Sequence, residues 1–505
     1  MRSWRVPSST VAVAAFFALV ALPRPAIPLI DGDVFWHIRA GEAVLDSGIV
    51  PKVDTWSIVG AGMPWVSQDW LSNVVLALGY RLGAWGPTVL SVLWALLVVA
   101  ALILLWRAMS RRDQSIGWLS RIVWLAVGVI VAGPTLGVRV QVVDLLLSST
   151  VIWVLWRYLA GGSPRVLVLL PVMGVAFANL HAGWPLLFLL GGAVVVGEAL
   201  DRVLPRRLDH PPLAWDRIGW LVVALLAAAV VIPLNPNGLA LFAYPLDTST
   251  IAAHRDFISE WQPPDPGTFI GQVFIGFVLV GVLPTLVVAW RRMRLADAFV
   301  LVGLTVMAAN AARFMLVVGP IGASVIVLYL APAISRSRLG LRTAGFLERM
   351  STPRRAPRFT TINLVLAGLV VVVGIGVTLA RVAPAAQQTA TAEHMPVQAV
   401  NWVLANDPGQ RPFNQYSWGG YLGLRRPRAP VFIDGRSDIY GDAPIQEYAQ
   451  VVRQQTDLGP FLDRYRIDYV LFPSAGGFAD RMDTTPGWRR AYSDRVAAVW
   501  VRTSP

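Results

Sequence analysis

Residues 29–57 read LIDGDVFWHIRAGEAVLDSGIVPKVDTWS, and Asp31, Asp33 and His37 are their best candidates for chemistry. Two carboxylates flank a single glycine, and an imidazole follows Asp33 by one helical turn. A carboxylate can take a proton from a hydroxyl. A pair can also offer oxygen ligands to a divalent cation. The stretch follows the first strongly apolar run directly, so these charges stand at the border of a bilayer. A charged side chain costs about 2.5–3.5 kcal/mol at the bilayer centre on insertion scales. Such groups persist when they are paired or working, and Asp31-Gly-Asp33 has no evident structural partner in the sequence.

The elements that must position these residues are apolar. Of 505 residues, 55% are hydrophobic and 14% charged, against about 25% charged in soluble domains. Charge is gathered in short bursts between long apolar runs, the pattern of a polytopic membrane protein. The formal net charge of +13 lies mostly on arginines between those runs. It therefore reads as positive charge on cytoplasmic loops, and nucleic acid is not an expected partner. With no cysteine, thiol catalysis, cysteine–metal sites and disulfides are excluded. The five histidines are scattered, with no H-x-x-x-H pair for a zinc site on one helix.

Runs long enough to span number about eleven: 8–29, 87–108, 117–135, 139–159, 165–179, 182–201, 216–234, 270–290, 296–312, 313–334 and 361–382. The first is expected to be retained rather than cleaved as a signal peptide. The run 70–84 reads as a helix lying along the membrane surface. With the N-terminus inside, every inner loop is basic, from Arg107, Arg111 and Arg112 through to Arg354, Arg355 and Arg358. The stretch 30–86 is then the first outer loop, and residues 385–505 also lie outside. The latter are less apolar and carry strand-like runs at 430–434, 468–473 and 496–501. The expected architecture is a polytopic α-helical membrane domain over 1–384, with a small extracytoplasmic α/β domain over 385–505.

That topology brings further polar residues to the outer face: Arg139, Gln141, Asn179, His181, Asn235, Glu260, Trp261, Asn310 and Arg313. Each has a plainer reading. Arg139 and Arg313 equally fit helix caps or headgroup contacts. His181 fits a hydrogen-bonded turn, and Glu260-Trp261 an interface anchor. Asp54 and Asp69 are expected to cap surface helices. In the C-terminal region, FIDGRSDIYGD places Asp434, Arg436 and Asp438 after a strand, where loops bind ligands. The alternative there is a turn closed by an internal Asp–Arg pair.

DGDVFWHIRAGEAVLDSGIVPKVDTWS, RVQ (139–141), ANLHAGW (178–184), NPNG with YPLDT, EWQPP (260–264), WGGYL (418–422) and FIDGRSDIYGD, in that order, resemble the GT-C superfamily of polytopic glycosyltransferases. More narrowly, the chain looks like bacterial members of the mannosyltransferase-like group. The resemblance implies transfer of a sugar from a polyprenyl-phosphate donor in the membrane to an extracytoplasmic acceptor hydroxyl on a glycan or protein. It implies inversion through single displacement, with a carboxylate as general base. On that reading Asp33 is the base, Asp31 and His37 assist it, and Arg313 and Arg139 receive the donor phosphate. His181, Glu260, Trp261, Asp434, Arg436 and Asp438 would bind substrate, the last three from a loop covering the membrane site. Some members use a divalent metal, Mg or Mn, and others none; where one is used, Asp31 and Asp33 would hold it. The expected location is a bacterial cell (inner) membrane.

Three rivals stand beside this. A non-catalytic GT-C-shaped protein of envelope assembly, binding a lipid-linked sugar, would tolerate loss of both first-loop aspartates. An O-antigen-ligase-like enzyme would depend on outer arginine and histidine instead. A secondary transporter would place its charges nearer the midplane and show repeated halves.

Overall fold

The structure is a computed structural model that describes residues 8–205, 208, 211–335 and 357–503. Arg206, Arg207, His210 and the segment from Arg336 to Arg355 lie outside the described residues.

Each of the eleven apolar runs is helical. In chain order the helices are α1 (Ser8–Phe16), α2 (Asp33–Ser47), α3 (Trp70–Tyr80), α4 (Gly86–Arg112), α5 (Trp118–Ala132), α6 (Val142–Leu159), α7 (Leu169–Leu180) and α8 (Trp184–Val203). They continue as α9 (Trp215–Val231), α10 (Ala240–Thr250), α11 (Ala252–Phe257), α12 (Phe269–Phe277), α13 (Leu283–Ala289), α14 (Leu295–Asn310), α15 (Met315–Ser335) and α16 (Pro357–Val382). Among the described residues six helical segments are long and apolar enough to cross a membrane: 83–112, 118–135, 142–159, 269–289, 312–334 and 361–382. Other apolar runs fold as shorter helices, including 9–21, 164–180 and 295–310. The run 70–84 is also short; its helix α3 packs on both α2 and α4.

Local chemistry explains the helix ends. Proline enters at the first turn of α4 and α8, where its missing N–H is harmless. Arg111 and Arg112 close α4, where cations meet the carbonyl end. The bundle core is aliphatic, and α5 packs along α15, α4 along α6, and α8 along α14. At the end of the bundle where α4 finishes, Arg112 pairs with Asp297 at 2.6 Å, and Arg294 pairs with Glu198 at 2.6 Å. These buried pairs tie helix ends together; losing one partner would leave a stranded charge.

The C-terminal residues form a four-stranded sheet: β1 (Pro412–Asn414), β2 (Tyr469–Pro473), β3 (Trp488–Ser493) and β4 (Ala497–Arg502), in the order β1-β2-β4-β3. β1 and β2 run parallel and the remaining pairs antiparallel. An aromatic core under the sheet includes Phe413, Phe432, Phe461 and Phe472. This unit docks on the segment that follows α2. Val431 N–H donates to Trp56 O at 2.8 Å, and Ile58 N–H donates to Val431 O at 2.8 Å.

Candidate active site

Asp33 is the first residue of α2, and its backbone N–H donates to Asp31 Oδ1 at 2.9 Å. Helical spacing puts Trp36 and His37 on the same side, and all three line one cavity of about 620 Å³. The loop at Gly435 closes over Asp33. A Cβ at that position would lie 1.7 Å from Asp33 Oδ1 and 3.0 Å from Trp36 Nε1, so only glycine allows the approach. Asp33 opens onto the cavity but lies far inside the fold. Desolvation first, then the Asp31 charge, push its carboxyl up to about 7.

His37 is buried. Its Nδ1 lies 2.7 Å from Asn73 Oδ1 and 3.0 Å from Asp69 Oδ2. Burial lowers the pKa of this ring, but the Asp69 carboxylate beside it outweighs burial, and the net shift is upward. Asp69 precedes α3 without capping it. Its side chain serves His37 and accepts from Asn73 Nδ2 at 3.0 Å. A second pair, His181 Nδ1 to Asp144 Oδ2 at 2.7 Å, lines the same cavity from the α7–α8 turn and the first turn of α6.

Arg139 is held between two acids. Its Nε lies 2.5 Å from Asp31 Oδ2, and its Nη1 pairs with Glu260 Oε1. Trp94 Nε1 donates to the Arg139 carbonyl at 2.7 Å and fixes the backbone. Arg139 is thus already neutralised. Arg313 stacks its guanidinium 4.4 Å from the Trp261 ring centre and has no carboxylate partner among the described residues. Arg313, Glu260 and Trp261 line the cavity, as does Arg255, which is also without an ion pair among the described residues.

The expected residues are therefore divided. The structure gathers Asp33, His37, His181, Glu260, Trp261, Arg313 and Asp438 around one cavity, with Asp31 and Arg139 directly behind. Asp434 and Arg436, also expected in the substrate set, do not line this cavity. They are 2% and 1% exposed, and Arg436 chelates Asp434 while its Nη1 donates to Asp54 at 2.9 Å. Tyr440 OH also donates to Asp434, at 2.7 Å. All three guanidinium nitrogens of Arg436 donate within this cluster, so the turn closed by an Asp–Arg pair is the form observed. Asp54 does not cap a helix but serves this clasp. Asp438, two residues on, faces the cavity and accepts from Tyr244 OH at 3.3 Å. Burial, then the Asp69 charge, push its carboxyl up to about 6.

Asp31 and Asp33 do not suit a resident divalent ion. One oxygen of Asp31 takes the Asp33 amide and the other takes Arg139. Among the described residues no group of three or more His, Asp or Glu side chains is arranged to hold a metal. Asp69, Asp144, Tyr244, His254 and Tyr416 also line the site. Of these, Asp144 carried a usable signal: a lone acid inside an apolar run, close after RVQ.

No protein-family model matches the sequence, and no curated protein matches it. Solved structures do. The apo crystal structure of an oligosaccharyltransferase from Archaeoglobus fulgidus aligns over 92% of this chain and 69% of its own, with TM-score 0.56 and 12% identity. ArnT from Cupriavidus metallidurans, crystallised with undecaprenyl phosphate, aligns over 97% of each chain, with TM-score 0.53 and 15% identity. At such identities the likeness is one of fold. It runs along nearly the whole chain: this chain has the fold seen in the archaeal oligosaccharyltransferase and in ArnT.

Proposed function

We propose that this chain is a membrane glycosyltransferase that moves a sugar from a polyprenyl-phosphate donor to an extracytoplasmic acceptor hydroxyl. One observation carries the reading: Asp33 and Arg313, from the first loop and the α14–α15 turn, line the same cavity at the polar end of an apolar bundle. The acceptor oxygen attacks the anomeric carbon and passes its proton to Asp33. The bond from that carbon to the phosphate oxygen breaks, and its electron pair stays with the phosphate. Arg313 faces the charge that develops there. Asp31 and Glu260 share Arg139, which keeps both acids in place behind the reacting groups. Attack opposite the leaving group inverts the anomeric centre.

A carboxyl titrating near 7 suits a general base at neutral pH. ArnT, of the same fold, is seen with undecaprenyl phosphate, which supports a lipid-phosphate donor. On this reading the cavity faces away from the cytoplasm, the N-terminus is cytoplasmic, and the residues from 385 onward are extracytoplasmic in a bacterial inner membrane. Membranes holding the Asp33→Asn variant should insert the protein normally and lose transfer of radiolabelled sugar from lipid phosphate. Wild-type transfer by that variant would remove Asp33 from the role.

Because His181 and Arg313 also line the cavity, the ligase-like mechanism is the second reading. It predicts that the Asp31→Asn/Asp33→Asn double variant stays active while Arg313→Gln does not.

A further inference from the structure

We propose that the Asp144–His181 pair is a phosphate-binding element of this cavity, with His181 Nε2 donating to the carrier phosphate alongside Arg313. The inference rests on the lipid-phosphate reading above and names a residue that completes its anion site.

Asp144 lies in the first turn of α6, is the sole acid of that helix, and is 6% exposed. A carboxylate so placed is costly unless it is paired. Its partner is not an arginine but His181, at 2.7 Å from Oδ2, and Oδ1 has no hydrogen-bond partner among the described residues. A carboxylate only accepts, so Nδ1 of His181 carries the hydrogen in this contact. Nε2 is then the one ring atom left to bind anything else. Donation from Nε2 requires the ring to hold both hydrogens, the form favoured by an anion on each side, Asp144 at Nδ1 and a phosphate at Nε2.

The turn is built to hold that orientation. Gly183 N–H donates to the His181 carbonyl at 2.5 Å. A Cβ on Gly183 would stand 2.3 Å from Asp144 Oδ1, so the backbone closes directly on the carboxylate. Two other basic groups of the cavity wall, Arg255 and Arg313, have no acid partner among the described residues. His37 is engaged by Asp69, and Arg139 behind the wall by two acids. Arg313 is uncommitted but has its guanidinium against Trp261. A phosphate presents several acceptor oxygens and is held best by donors from more than one direction. His181 supplies a second direction from an element unrelated to the α14–α15 turn.

The test uses the purified full-length chain in detergent, with undecaprenyl phosphate and undecaprenol as probes. Wild type should bind the phosphate more tightly than the alcohol. His181→Gln or His181→Asn, whichever melts at the wild-type temperature, should weaken the phosphate about tenfold and leave the alcohol unchanged. Asp144→Asn should fall between wild type and these variants. Unchanged phosphate affinity in a folded His181 variant overturns the inference and leaves the lipid-phosphate reading standing. Equal weakening of both lipids also overturns it, because it marks a packing role. If wild type does not distinguish phosphate from alcohol, the lipid-phosphate reading fails and takes this inference with it.

Discussion

Arg436 reaches Asp54 at 2.9 Å in a clasp with neither side chain exposed, and so joins the C-terminal unit to the first loop. The guanidinium also lies 5.0 Å and 4.8 Å from the ring centres of Trp56 and Trp65. Removing one partner strands a buried charge, which costs about 3–5 kcal/mol. Arg436→Ala should therefore lower the melting temperature sharply and expose the segment after α2 to protease. A variant as stable and as protease-resistant as wild type would contradict the clasp.

Asp33→Asn has opposite consequences for activity and stability. Loss of a general base costs about 10²–10⁴-fold in rate. The folded-state pKa of Asp33 lies near 7, above the ordinary carboxylate value of 3.8. Its contribution to stability is complete below the unfolded pKa and is lost as pH rises through the folded one. Asparagine cannot ionise, so the variant should melt above wild type at pH 8 and level with it near pH 4. Water in the cavity moderates the size of this difference without changing its sign. Equal melting temperatures at pH 8 would argue against a perturbed carboxyl.

The same pKa sets a pH profile. The base works only when ionised, so transfer should rise with pH through an apparent pKa near 7 and level off above it. Removing the Asp31 charge raises less resistance to ionisation at Asp33, and Asp31→Asn should move that limb to lower pH. A profile that falls across pH 6–8 would exclude Asp33 as the base.

Gly435→Ala is a small change with a large expected effect. The added methyl would need the space of Asp33 Oδ1, at 1.7 Å, so either the loop or the carboxylate must move. Transfer should fall at least tenfold with little change in donor-lipid binding, measured as undecaprenyl-phosphate affinity. Full activity in this variant would mean that the loop does not close over Asp33.

Arg313→Gln removes an uncommitted cation facing the cavity. A hydrogen bond to a charged group contributes about 1.5–3 kcal/mol, so donor affinity should drop by about one to two orders of magnitude. Arg313→Lys should recover part of it, because charge remains while the planar stack on Trp261 is weakened. No loss in Arg313→Gln would move the phosphate elsewhere.

The notable readings that changed all concern partners. Asp69 looked like a helix cap because it stands before α3; in the fold its carboxylate finds His37 and Asn73 instead. Arg139 looked free for phosphate, yet Glu260 comes from a distant loop to share it with Asp31. Asp434 and Arg436 satisfy each other and Asp54, so only Asp438 of that motif reaches the cavity. The loop covering Asp33 also shares a core with the residues after α2, so deleting the tail would strip the first loop of its packing.

Apolar runs of spanning length and an acid pair at the exit of one are properties of neighbouring residues, so they were readable in the chain alone. Hydrophobic burial acts along each run separately, and all eleven runs are helical. Ionic partnerships are different. They depend on which segments meet, and the meeting of first loop, α6, the α7–α8 turn, α14–α15 and the C-terminal loop is decided only when the bundle packs. That packing determined which acids are neutralised, which stay open to water, and that Arg255 and Arg313 of the cavity have no acid partner among the described residues.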